Sequence, residues 1–133
     1  VDNDLYISEE MYETFKVDYG VPQIYDLLIS GVGTIGVPYV IKNLDKLYFK
    51  DGNVIWLRNK GLFNANYIFY LYKSLFLINQ ISEMSAGSTV DTYTIINANK
   101  TQVPLPPLAE QKRIVEKLEQ LLPLCDRLKK QIV

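Results

Sequence analysis

Two stretches of this chain hold residue types that could do chemistry. The first, Gly31-Val32-Gly33-Thr34-Ile35-Gly36, has the G-x-G-x-x-G spacing that cradles a pyrophosphate when a helix opens at the turn. Here Val37-Pro38-Tyr39-Val40-Ile41 follows, β-rich and with proline at its start, so the glycines read as a tight turn between strands. The second stretch, Ser85-Ala86-Gly87-Ser88-Thr89 with Asp91 and Thr92, offers hydroxyls and backbone amides with Val90 as its apolar anchor. By composition it is either a solvated connection or a hydrogen-bonding surface. Other chemistries lack their residues. There is no histidine and one cysteine, which argues against a zinc site or a catalytic dyad. No Asn-Pro-Pro-Tyr methyltransferase motif, P-loop or acidic nuclease cluster occurs in the chain.

Several elements must position these stretches. Ser8 reads as an N-cap with Glu9 and Glu10 in the first turn and Ile7 stapled to Tyr12, predicting a helix from Glu9 to about Val17. Gly20 and Pro22 end it. Ile24 to Ser30 reads as a buried strand, Val37–Lys42 and Lys46–Lys50 as two more, and Asp51-Gly52-Asn53 as a hairpin turn into Val54–Arg58. Trp56 lies inside that apolar run and reads as core rather than as a base-stacking platform. Asn64 caps a helix expected from Ala65 to about Glu83, on which Tyr67, Leu71, Leu75 and Ile78 recur at helical spacing and Ile68, Tyr72 and Phe76 widen the stripe. Ile95 and Ile96 are expected to anchor the chain, Asn97 to cap one turn through Lys100, and Thr101–Leu105 to form an edge strand. The fold class is α+β: a small, twisted, mainly antiparallel sheet with packed helices, followed by a long C-terminal helix of coiled-coil type.

That helix is announced by prolines. Pro104, Pro106 and Pro107 remove backbone donors and hold the chain extended, so the helix begins at about Leu108. From there Ile114, Leu118, Leu121, Cys125, Leu128 and Ile132 recur at spacings of four and three, a heptad seam that wants a second helix; the alternative from periodicity alone is a terminal helix docked on its own domain. Cys125 falls on the seam, where it reads as a small buried hydrophobe. Pro123 lies off the stripe and is expected to bend the axis without breaking the seam.

With 133 residues, 48% of them hydrophobic and 22% charged, the chain reads as one globular domain plus an appendage. It shows no signal peptide and no apolar run of membrane length, which fits a reducing cytoplasm. Residues 1–100 hold eight lysines and arginines against eleven aspartates and glutamates. That sign opposes DNA binding by overall charge unless the basic residues cluster on one face or partners clamp the duplex.

The run Pro104-Leu105-Pro106-Pro107-Leu108-Ala109-Glu110-Gln111-Lys112-Arg113-Ile114-Val115, with Leu121-Leu122-Pro123-Leu124-Cys125-Asp126 after it, resembles the conserved region of the specificity subunits of type I restriction-modification systems. Asp26–Gly36 is similar to the family's strand and glycine turn, and Ser85–Thr89 to its Gly-Ser-Thr loop. The resemblance implies a target recognition domain over residues 1–105, short at its N-terminus, and a spacer or dimerisation helix over 106–133. It places Ser30, Gly31, Gly33, Thr34, Ser85, Gly87, Ser88, Thr89 and Lys100 against double-stranded DNA. It places Ile114, Leu118, Leu121, Cys125, Leu128 and Ile132 at a subunit interface, in a homodimer or against a methyltransferase subunit. The chain would then be a fragment or a half-subunit and not itself an enzyme. It would hold no cofactor; S-adenosylmethionine, ATP and Mg belong to the methyltransferase and the motor/endonuclease subunits. Two other readings stay open: a helical protein-interaction adaptor without DNA reading, and a cofactor-binding enzyme at the glycine turn.

Overall fold

A computed structural model describes residues 22–43, 54–86 and 92–132. The expected helix at 9–17, the strand at 46–50 with its hairpin turn, and Gly87, Ser88, Thr89 and Asp91 lie outside the described residues, as does the side chain of Ile132. The fold is α+β. Strands β1 (Leu27–Ser30), β2 (Pro38–Val40) and β3 (Val54–Leu57) form an antiparallel sheet in the order β2-β1-β3. Leu27 pairs with Val40 on one side and Leu57 on the other. Strand alternation puts Leu27 and Ile29, both fully buried, on one face with Val40 and Ile55. Leu28, Tyr39 and Trp56 form a row across the other face. Pro38 is tolerated because β2 lies at the edge of the sheet among the described residues.

Helix α1 (Ala65–Tyr72) begins at the expected cap, the Asn64 side chain accepting from the Tyr67 amide at 3.1 Å. It packs against β2 and against the start of the C-terminal helix, burying Tyr67, Ile68 and Tyr72. The helix expected through Glu83 is two helices. Ser74 takes an extended conformation, donates to the Leu71 carbonyl at 2.6 Å and caps α2 (Leu75–Ser85) by accepting from the Leu77 amide. A serine hydroxyl that satisfies backbone groups at both ends competes with the helix ladder, which ends one helix and starts the next. The break turns the apolar stripe. Leu77 and Ile81 enter the core, whereas Leu75 and Phe76 are exposed.

Helix α3 (Ile95–Lys100) is capped by Thr94, three residues before the expected cap at Asn97, and Ile95 and Ile96 are exposed rather than anchoring. Tyr93 is the anchor, buried at 2% exposure with its hydroxyl 3.0 Å from that of Tyr72 and 2.6 Å from that of Thr101. Residues 101–107 are irregular rather than an edge strand. Side chains satisfy their backbone instead: Gln80 donates to the Gln102 carbonyl and accepts from its amide, and the Tyr67 hydroxyl donates to the Pro104 carbonyl at 2.7 Å. Helix α4 (Leu108–Ile132) then runs through Pro123. Among the described residues no helix is long and apolar enough to cross a membrane.

Candidate nucleic-acid interface

The glycine turn is built from Ser30. Its amide donates to the Val37 carbonyl at 3.1 Å and its carbonyl accepts from Gly36 at 2.8 Å, closing the turn between β1 and β2. The Ser30 hydroxyl donates to the Thr34 carbonyl at 2.5 Å and accepts from the Val37 amide at 2.9 Å. Gly33 and Gly36 both sit at φ +75°, a region that side-chain-bearing residues enter only at a cost. A strand, not a helix, follows this turn, so the arrangement that a dinucleotide site needs is not the one formed.

Val32 bridges to Thr92, and the Tyr93 amide donates to the Gly31 carbonyl at 2.9 Å, so the downstream flank of the serine-rich stretch lies beside the glycine turn. Its upstream flank is Ser85, the last residue of α2, buried and donating to the Ser82 carbonyl at 3.1 Å. The nominated residues therefore separate by role. Ser30, Gly31 and Ser85 hold the scaffold through their own bonds. Gly33 and Thr34 are exposed, and the Thr34 hydroxyl has no partner among the described residues. Lys100 is exposed at the end of α3, beside the Thr101 hydroxyl that meets Tyr93. Thr92 and Tyr93, absent from the nominated set, position the site; their pairing spans some sixty residues and leaves no local signal.

The electrostatics of this end are plain. No charged residue occurs from Leu27 to Ile41, or from Thr92 to Asn99. Among the described residues no cluster of side chains could hold a metal ion. The arrangement offers hydrogen-bonding groups on a rigid turn, which suits a polar ligand read by shape and donor pattern.

The second nominated surface is split by α4 itself. Val115 is buried in the core and Ile114 packs against it, contributing roughly 1.5–3 kcal/mol per fully buried side chain. Gln111 is 1% exposed; it accepts from the Asn64 amide at 2.8 Å and donates to the Pro106 carbonyl at 2.7 Å. These contacts rivet the first two turns to α1. Leu118 is half-buried, and every described residue from Glu119 to Gln131 is exposed, with Leu121 at 44% and Leu128 at 58%. Cys125, expected to be buried, is exposed, and among the described residues no second helix covers that face of α4.

The family model for the type I restriction modification DNA specificity domain matches residues 3–133. A putative type I restriction enzyme specificity subunit of Haemophilus influenzae is 35% identical over 119 residues, covering 87% of this chain and 29% of the relative. The StySPI specificity subunit of Salmonella potsdam is 40% identical, and the EcoKI specificity subunit of Escherichia coli 38%, each over 73 residues that cover 55% of this chain and 16% of the relative. The chain thus spans less than a third of the length of these curated relatives. No solved structure matches.

Proposed function

The chain belongs to the family of type I restriction modification DNA specificity domains, and from that premise we propose that it reads the sequence of double-stranded DNA and directs methylation and cleavage by partner subunits. Catalysis, S-adenosylmethionine, ATP and Mg belong in this reading to the methyltransferase and motor subunits. The observation that supports it is the bridge between Val32 and Thr92, which sets the downstream flank of the serine-rich stretch beside the glycine turn. Exposed Gly33 and Thr34 there offer an amide and a hydroxyl of the size that reaches a groove edge, and Gly87, Ser88 and Thr89 are assigned to the same surface. Lys100 is assigned to a flanking phosphate.

The exposed seam of α4 is proposed to pair with a second helix, from another copy or from the methyltransferase subunit. Ile114 contributes mainly to the head; Leu118, Leu121, Cys125, Leu128 and Ile132 carry the pairing. The test is to put residues 1–105 in place of the aligned segment of the Haemophilus influenzae relative, express it with its methyltransferase subunit, and map the methylated sites. The reading expects a changed half of the target. An unchanged target with assembly intact would favour a second reading, an adaptor acting through the α4 seam alone.

A further inference from the structure

Lys100 alone gives the proposed reading end little of what nucleic-acid affinity ordinarily requires, since phosphate neutralisation by lysine and arginine supplies most sequence-independent binding. Further positive charge lies at the other end of the sheet. The Tyr25 amide donates to the Ile41 carbonyl at 2.7 Å, and the Asn59 side chain donates to the Tyr25 carbonyl at 3.3 Å. The register that pairs Leu27 with Val40 and Leu57 therefore sets Lys42 on one side of Tyr25 and Arg58, Asn59 and Lys60 on the other. All three cations are exposed, and none is in an ion pair among the described residues.

Asp26 organises this end without pairing with them. It is 3% exposed, and its two oxygens accept from the Gln23 amide, the Trp56 indole and the Asn59 amide at 2.8–2.9 Å. Arg58 lies over the Trp56 ring, 4.1 Å from its centroid, which holds the guanidinium in place. Tyr25 is 59% exposed at φ +72°, a left-handed conformation that costs about 1 kcal/mol or more for an aromatic residue and is maintained here by these bonds.

The overall charge conceals this surface. Residues 1–21 hold six carboxylates against one lysine, whereas residues 22–100 hold seven cations against five carboxylates, one of them the buried Asp26. We infer that Lys42, Arg58 and Lys60 grip the phosphate backbone of duplex DNA next to the groove that the glycine turn reads. The inference rests on the DNA-reading proposal and adds to it the anchoring surface.

The test measures binding of the 133-residue chain to labelled duplexes by fluorescence anisotropy between about 50 and 200 mM salt. Each of Lys42→Gln, Arg58→Gln and Lys60→Gln should lower the slope of log affinity against log salt by about 0.9, and the triple variant by about 2.7, some fortyfold across that range. Affinity should fall alike for all sequences with the preferred sequence unchanged. Arg58→Lys, which keeps the charge, should restore the slope, and Lys73→Gln, at the junction of α1 and α2, should leave it alone. The substituted side chains are exposed, and the single variants give the same readout if the triple variant fails to fold. Binding by the unmodified chain with slopes unchanged in the single variants would overturn this inference and leave the reading proposal standing. Failure of the unmodified chain to bind any duplex would overturn both.

Discussion

Replacing Gln111 with methionine tests how the long helix is held to the head. Methionine fills nearly the same volume, so the change removes two hydrogen bonds without opening a cavity. The Asn64 amide loses its acceptor at 2.8 Å and the Pro106 carbonyl its donor at 2.7 Å. Each unsatisfied backbone group costs about 1–3 kcal/mol where water is excluded. Asn64 and Pro106 are both half-buried, so partial rehydration puts the total at about 2–4 kcal/mol. By contrast, Arg113→Gln breaks an ion pair whose side chains are 67% and 45% exposed and should cost less than about 1 kcal/mol. Urea denaturation followed by fluorescence of Trp56, the single tryptophan, measures both changes. Hydrogen exchange at the Asn64 amide separates a local opening from global unfolding. If Gln111→Met lies within about 0.5 kcal/mol of the parent with the Asn64 amide still protected, the rivet does not hold the helix.

Three further outcomes follow from the same geometry. Asp26→Asn turns one of two fully engaged oxygens into a donor facing a donor, and should destabilise by about 2–4 kcal/mol in the same urea assay; a loss under about 1 would remove Asp26 as the organiser of its end of the sheet. Burial, then the hydrogen bond and charge of Tyr93, raise the Tyr72 phenol well above its ordinary value. The folded chain keeps a proton that the unfolded chain releases near pH 10, so stability is complete below that pH and falls above it by up to about 1.4 kcal/mol per pH unit. Tyr72→Phe should flatten that decline in alkaline melts, and an unaltered slope would refute the assignment. Leu121→Asp should abolish helix pairing in sedimentation while leaving the head folded, and Cys125 should react quickly with maleimide in that variant but slowly in the paired form. Equal rates would remove the seam.

What the residues declared in advance followed local chemistry. Three prolines placed the start of the long helix, Asn64 declared a cap, and the apolar run from Ile24 to Ser30 declared a strand, although Ile24 and Tyr25 form a turn and the strand begins at Leu27. Long-range partners were not legible. Ser74 reads as an ordinary polar residue on a helical stripe until its hydroxyl is seen satisfying backbone groups on both sides. Ile95 and Ile96 look like core by composition, yet Tyr93 takes that role through Tyr72 and Thr101, partners that no periodicity links. Gln111 did leave a trace: it stands three residues before Ile114, a polar residue on the apolar stripe. The net charge averages an acidic N-terminal segment with the exposed cations at one end of the sheet.

Sequence selection from a random pool of duplexes tests the central claim most directly, comparing the parent with Thr34→Val and with Ser88→Ala/Thr89→Ala. Valine keeps the shape of Thr34, and its carbonyl still accepts from Ser30, so only the hydroxyl is lost. The account predicts relaxed preference at one or two base pairs, about 1–3 kcal/mol each, with little change in affinity for unrelated DNA. An identical preferred sequence in the parent and both variants would contradict it.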